Sequence, residues 1–222
     1  MRSIVFTITT ALLFFGWTLL ADFIKLHLNF GIPLGAVISL GTYRLILNVV
    51  ESVMIKSKPI KKWIFGNVYL EGKWIGVYIG VDGKPRFYVE YYEQDFDGLI
   101  IRGFSYNDDG TFKGSWISDK VFINEDNGTI TYTYLTDMLH NTNKNQGLAS
   151  FNFIRESKNQ VPNKMIGFSS DIFAPQKLKS FERRLDKKEE IISDAEIFDL
   201  AQNFYKENIR AINKVDLACE AN

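Results

Sequence analysis

The sequence predicts a membrane protein with two N-terminal transmembrane α-helices, an antiparallel up-and-down β-barrel of about eight strands, and a C-terminal helix. Three observations carry this fold class. Ser3 to Ala21 (SIVFTITTALLFFGWTLLA) is a run of 19 residues without a charge. A second apolar stretch follows from about Leu28 to Val50. From about Gly66 onward, apolar and polar residues alternate with period two, in short runs separated by Gly, Asp and Asn.

The first run is long enough, at about 1.5 Å per helical residue, to cross most of a roughly 30 Å hydrocarbon core. A cleaved signal peptide is the competing reading of an apolar run behind Arg2. The run exceeds the about 7–15 residues of a signal's apolar region and no A-x-A site follows. The second stretch contains Gly31, Pro33, Gly35, Gly41 and Arg44. Gly31, Gly35 and Ser39 repeat at intervals of four, the small-residue spacing that lets helices pack closely in lipid. Lys56, Lys58, Lys61 and Lys62 follow the second stretch and Arg2 precedes the first. The positive-inside rule therefore puts both termini in the cytoplasm. The expected organisation is 1–55 for two transmembrane helices (about 4–22 and 29–50), 56–65 for a basic juxtamembrane linker, 66–175 for the barrel, and 176–222 for a charged connector and helix.

The barrel strands are expected over Val68–Gly80, Arg86–Glu93, Leu99–Tyr106, Phe112–Ile123, Thr129–Leu135, Gly147–Arg155 and Lys164–Phe173. Asp82-Gly83 is a hairpin signal, and Asn141 to Gln146 reads as a polar loop. Consecutive hairpins with short loops give an up-and-down order, and closure removes exposed edges. Near the C-terminus, Ser193 and Glu196 have the spacing of a capping box. Ile197, Leu200, Phe204 and Ile212 then lie on one face of a helix that has to pack on something.

Charge and chemistry exclude several classes. Lys+Arg and Asp+Glu balance at 26 each, which argues for no acidic or basic polymer partner, so neither DNA nor RNA is expected. A single cysteine, Cys219, and two histidines, His27 and His140, leave little for a Cys- or His-based metal site. There is no Gly-rich phosphate loop, no G-x-S-x-G and no H-E-x-x-H. Asp95/Asp97 and Asp108-Asp109 flank glycines between apolar runs, as turn residues do. No enzyme, cofactor or metal is expected.

What remains is a binding module rich in aromatic and arginine side chains on strands. Tyr78, Tyr88, Tyr92, Tyr106, Trp116, Tyr132 and Tyr134 can stack on flat rings and donate from their rims. Arg86, Arg102 and Arg155 fall inside strand patterns, where a guanidinium reaching into a barrel would match a phosphate. The candidate ligand-binding set is Tyr78, Arg86, Tyr88, Arg102, Tyr106, Trp116, Tyr132 and Arg155.

Leu70-Glu71-Gly72-Lys73-Trp74-Ile75-Gly76-Val77-Tyr78, placed behind two apolar stretches and a basic stop, resembles the opening of the barrel in the Cap15-type effectors of bacterial CBASS antiphage defence. These are two-transmembrane, β-strand-rich proteins associated with CD-NTases. The likeness runs from the first apolar stretch to about Phe173 and leaves the segment after Pro175 unmatched. It implies a lipocalin-like barrel that binds a cyclic dinucleotide made by a cognate CD-NTase. It also implies a multi-pass protein of the bacterial inner membrane that oligomerises on activation, contacts membrane lipids, disrupts the membrane and kills the infected cell. A membrane-tethered, lipocalin-like carrier of a lipid or apolar ligand is the alternative. Arginines that all point away from the cavity would favour it.

Overall fold

The computed structural model describes residues 56–138, 141–172, 176–186, 189 and 194–219, with scattered positions between 7 and 52. The chain divides into two units, Met1–Phe65 and Gly66–Asn222. In the first, Lys58–Phe65 forms helix α1, over most of the expected basic linker.

The expectation of two transmembrane helices requires correction. Among the described residues no helix is long and apolar enough to cross a membrane. Most of the two apolar stretches, including Gly31, Gly35 and Ser39, lies outside the described residues.

The second unit is a closed barrel of strands β1 to β8 in sequence order. They are Gly72–Ile79, Pro85–Gln94, Leu99–Tyr106, Phe112–Asn124, Thr129–Met138, Asn141–Ile154, Lys164–Asp171 and Leu178–Arg184. Every pairing is antiparallel, and β8 closes onto β1 from Trp74↔Arg184 to Tyr78↔Ser180. At the β1–β2 turn the Asp82 carboxylate accepts the Lys84 N–H at 3.2 Å, the local bond that makes Asp a turn residue.

Two strand boundaries differ from the sequence reading. The eighth strand, Leu178–Arg184, lies in the segment expected to be a charged connector. Its inward register carries Ser180 and Glu182, so it lacks the apolar alternation that marks a strand. The stretch 141–146, expected as a loop, belongs to β6 and pairs with β5 as far as Met138↔Asn141. Ladder bonds are made by the backbone, so a wholly polar run can continue a hairpin.

Two apolar layers hold the barrel. The inner one gathers Leu70, Trp74, Tyr92, Ile101, Ile130, Phe151 and Met165, and Trp74 Nε1 donates to the Leu70 carbonyl at 2.9 Å. The outer one lies under helix α2, Asp194–Cys219. There Ile197, Ala201 and Phe204 pack with Ile75, Val77, Phe87, Val89 and Phe181. Ile197, Ala201 and Phe204 recur at i, i+4 and i+7, the apolar stripe of an amphipathic helix. Phe87 meets Phe198 edge-on at 5.2 Å. The barrel is thus what this helix packs on.

Candidate functional site

The alternation that builds the barrel sends Trp74, Gly76 and Tyr78 of β1 inward, and with them Tyr88, Glu90 and Tyr92 of β2. Direct register pairs Gly76 with Tyr88, Gly103 with Trp116 and Gly147 with Tyr134. In each pair the aromatic ring lies over the glycine. A Cβ on Gly76 would sit 2.1 Å from Tyr88 Cζ, and one on Gly103 would sit 2.0 Å from Trp116 Cε2. Small residues on one strand therefore let large rings on the next lie across the interior.

These rings surround a cavity of about 140 Å³. Tyr78, Tyr88, Trp116, Tyr132, Tyr134 and Phe151 form its aromatic lining, and Glu90 and Glu182 also line it. At the strand ends, partly exposed Lys113, Asn145 and Asp171 line the same space. Lys113 Nζ donates to Tyr78 Oη at 3.1 Å and stands 5.4 Å from the centre of its ring. Tyr134 donates to Asp171 at 3.3 Å. We call this end the mouth and the carboxyl end the floor.

Both floor carboxyls are buried. Glu90 Oε1 accepts from Trp116 Nε1 and from Tyr132 Oη, each at 2.9 Å. Tyr88 donates to Glu182 Oε1 at 3.0 Å. Tyr92 Oη lies 3.2 Å from Glu90 Oε2 and 3.1 Å from Glu182 Oε2, bridging the pair. Burial pushes Glu182 well above the ordinary carboxyl range, and the neighbouring Glu90 charge adds to the shift. Burial also raises Glu90, but hydrogen bonds from Glu182, Trp116, Tyr132 and Tyr92 oppose the shift. Glu182 is therefore the one of the two held higher, because the neighbouring carboxyl adds to the effect of burial there, whereas hydrogen bonds oppose it at Glu90. Two carboxylates this close cannot both ionise cheaply in a poorly solvated interior. The same burial, together with the charges of the pair, raises the Tyr88, Tyr92 and Tyr132 phenols, so they act as donors.

The sequence-derived candidates divide by register. Tyr78, Tyr88, Trp116 and Tyr132 come together in the cavity. Arg86 has the inward register beside Tyr78, but its guanidinium is bound to Asp82 at 2.6 Å and lies 4.0 Å from Asp108. Arg102 points outward and is ion-paired with Glu93. Tyr106 faces outward against Phe198 and Phe112. Arg155, just past β6, lies over the Phe153 ring and donates to the Glu125 carbonyl at 3.3 Å. Asp95 and Asp109 accept backbone N–H groups within their own loops, as turn residues do. His140 lies outside the described residues.

Sequence reasoning missed Glu90, Glu182 and Lys113. A signal for Glu90 was present: it stands between Tyr88 and Tyr92 at spacings of two, so any strand that buries those rings buries it. Glu182 offered no such signal, because its strand was not recognised. Among the described residues, no group of three or more His, Cys, Asp or Glu is placed to hold a metal ion. No family model matches the chain, and searches of curated proteins and of solved structures found no match to it.

Proposed function

We propose that the barrel is the receiver of a small messenger, a cyclic dinucleotide from a cognate nucleotidyltransferase, as in the antiphage effectors that the sequence resembles. The observation that carries this reading is the ring-lined cavity inside the barrel. At about 140 Å³ it is close to the roughly 150 Å³ that holds benzene in an engineered core. It falls short of the about 300–1,000 Å³ of pockets that enclose drug-sized ligands. In this reading one base enters between the rings, and the sugar-phosphate ring stays at the mouth. Base–aromatic stacking contributes about 1–3 kcal/mol per base, and Lys113 supplies positive charge where a phosphate would lie. The protein acts by binding rather than by catalysis, and ligand-driven self-association passes the signal on. Such coupling requires that the ligand bind the assembled state more tightly than the free one.

The apolar-carrier alternative is weaker. Arg102 and Arg155 do lie away from the cavity, as it would ask. An acyl chain, however, would leave two carboxyls and several hydroxyls facing hydrocarbon, with their remaining hydrogen-bonding capacity unmet.

Calorimetric titration of the full chain with a panel of cyclic dinucleotides tests the proposal, with light scattering run alongside. Binding by at least one of them, with growth in particle size on saturation, is the expected result. Silence across the panel rejects the reading.

A further inference from the structure

The cavity is chemically polarised. Its mouth carries an ammonium group, Lys113, beside Tyr78. Its floor is two carboxyls whose hydrogen-bonded partners are phenols and an indole. Four donors reach this floor: Trp116 Nε1 and the hydroxyls of Tyr88, Tyr92 and Tyr132. Two carboxyl groups offer about eight lone-pair sites. Even with one proton on Glu182, acceptors outnumber donors. The floor is thus a buried acceptor surface against which a ligand carrying N–H groups gains hydrogen bonds. A ligand presenting carbonyl oxygens there meets lone pairs instead.

Resting on the messenger reading above, we infer that Glu90 and Glu182 select the inserted base, favouring one whose leading edge carries an exocyclic amino group. Adenine and cytosine present such a donor, guanine carries one at N2, and uracil shows a carbonyl at the corresponding place. The discrimination has two parts. An amino group donates into the floor, and charge-assisted bonds of this kind are stronger than neutral ones. A uracil carbonyl is repelled, so selectivity also comes from penalising the wrong ligand. The rings above the floor hold any base flat and do not discriminate, since every base has a π face. Affinity and choice are therefore divided between different residues of one cavity.

The test titrates the full chain with cyclic di-AMP, cyclic di-GMP and cyclic di-UMP, for the wild type and for Glu90→Gln and Glu182→Gln. At least one amino-bearing dinucleotide is expected to bind about tenfold or more tighter than cyclic di-UMP, the scale of one well-formed hydrogen bond to a charged group. Both variants should narrow that ratio several-fold, because the glutamine amide donates where the carboxyl accepted. Cyclic di-UMP binding as tightly as both others overturns the inference while leaving the messenger reading intact. An unchanged ratio in folded variants does the same, with near-ultraviolet circular dichroism confirming the fold. No binding by any of the three overturns both. The wild-type ratio decides the matter even if neither variant folds.

Discussion

Gly103 has no side chain, yet it sets the position of the largest ring in the cavity wall. Trp116 lies across it from the neighbouring strand, and its indole N–H reaches Glu90 at 2.9 Å. Gly103→Ala would place a methyl group inside the van der Waals envelope of that ring. The indole would have to shift and its bond to Glu90 would lengthen. We expect Gly103→Ala to lower stability by about 1–3 kcal/mol, the usual cost of overpacking, as measured by urea denaturation. It should also weaken ligand binding through the displaced wall. At the same scale, Tyr132→Phe removes one of the two donors to Glu90 Oε1. Loss of a hydrogen bond to a charged group should cost about 1.5–3 kcal/mol, and the same denaturation curve measures it. Gly76 and Gly103 are ordinary glycines in a linear reading, and only the register shows that each faces a ring.

Helix α2 and strand β8 show how an element takes its role from its neighbours. The helix stripe at Ile197 and Phe204 was legible because helical spacing makes an apolar face visible in one dimension. What covers that face was not, since barrel, membrane and second copy all present apolar surfaces. The structure places it over β1, β2 and β8, so those strands are buried on both faces. Phe204→Ala is expected to cost about 3–5 kcal/mol, as truncating a buried aromatic does. Because α2 covers the outside of the wall and not the cavity, ligand preference should persist in whatever fraction stays folded, as titration below the melting temperature would show. Strand β8 is the opposite case. Its inward positions are Leu178, Ser180, Glu182 and Arg184, and on the other face only Phe181 is apolar, between Lys179 and Arg183, so neither face reads as a buried row. It becomes a strand because β7 and β1 each leave one edge unpaired and a barrel closes only when both are used.

At the scale of the whole molecule, the floor carboxyls tie folding to pH. Glu182 has a raised value in the folded chain and about 4.5 when unfolded. Between these limits the folded state holds a proton that the unfolded state has lost. Stability is therefore greatest near the lower limit and falls as pH rises through the window, by about 1.4 kcal/mol per unit for one proton. The raised Glu90 works in the same direction. Asp82 and Asp109 work in the other, held down by the Lys84 N–H and by Thr111 respectively. Both are exposed, and what they contribute is lost only as pH falls below the ordinary Asp value of 3.8. Urea midpoints measured from pH 5 to 8 should decline, and Glu182→Gln should flatten the decline. A wild-type profile that rises across this range would show that the pair is not protonated as described.

The sequence by itself determined the barrel, its up-and-down order and most of its strands, because period two and turn chemistry are local and repeat along the chain. It also determined that Tyr78, Tyr88, Trp116 and Tyr132 were worth attention, since large amphipathic rings on strands mark an interior. It carried the apolar stretches of the first 55 residues as well, but among the described residues no helix is long and apolar enough to cross a membrane; hydropathy reports the apolarity of a run and not the structure it takes. Only the tertiary structure decided which arginines turn away from the cavity and that Glu90 meets Glu182 across 92 positions of chain. Pairing between distant strands has no signature in either one. A buried carboxyl looks like a surface carboxyl until closure brings a second carboxyl and four donors to it.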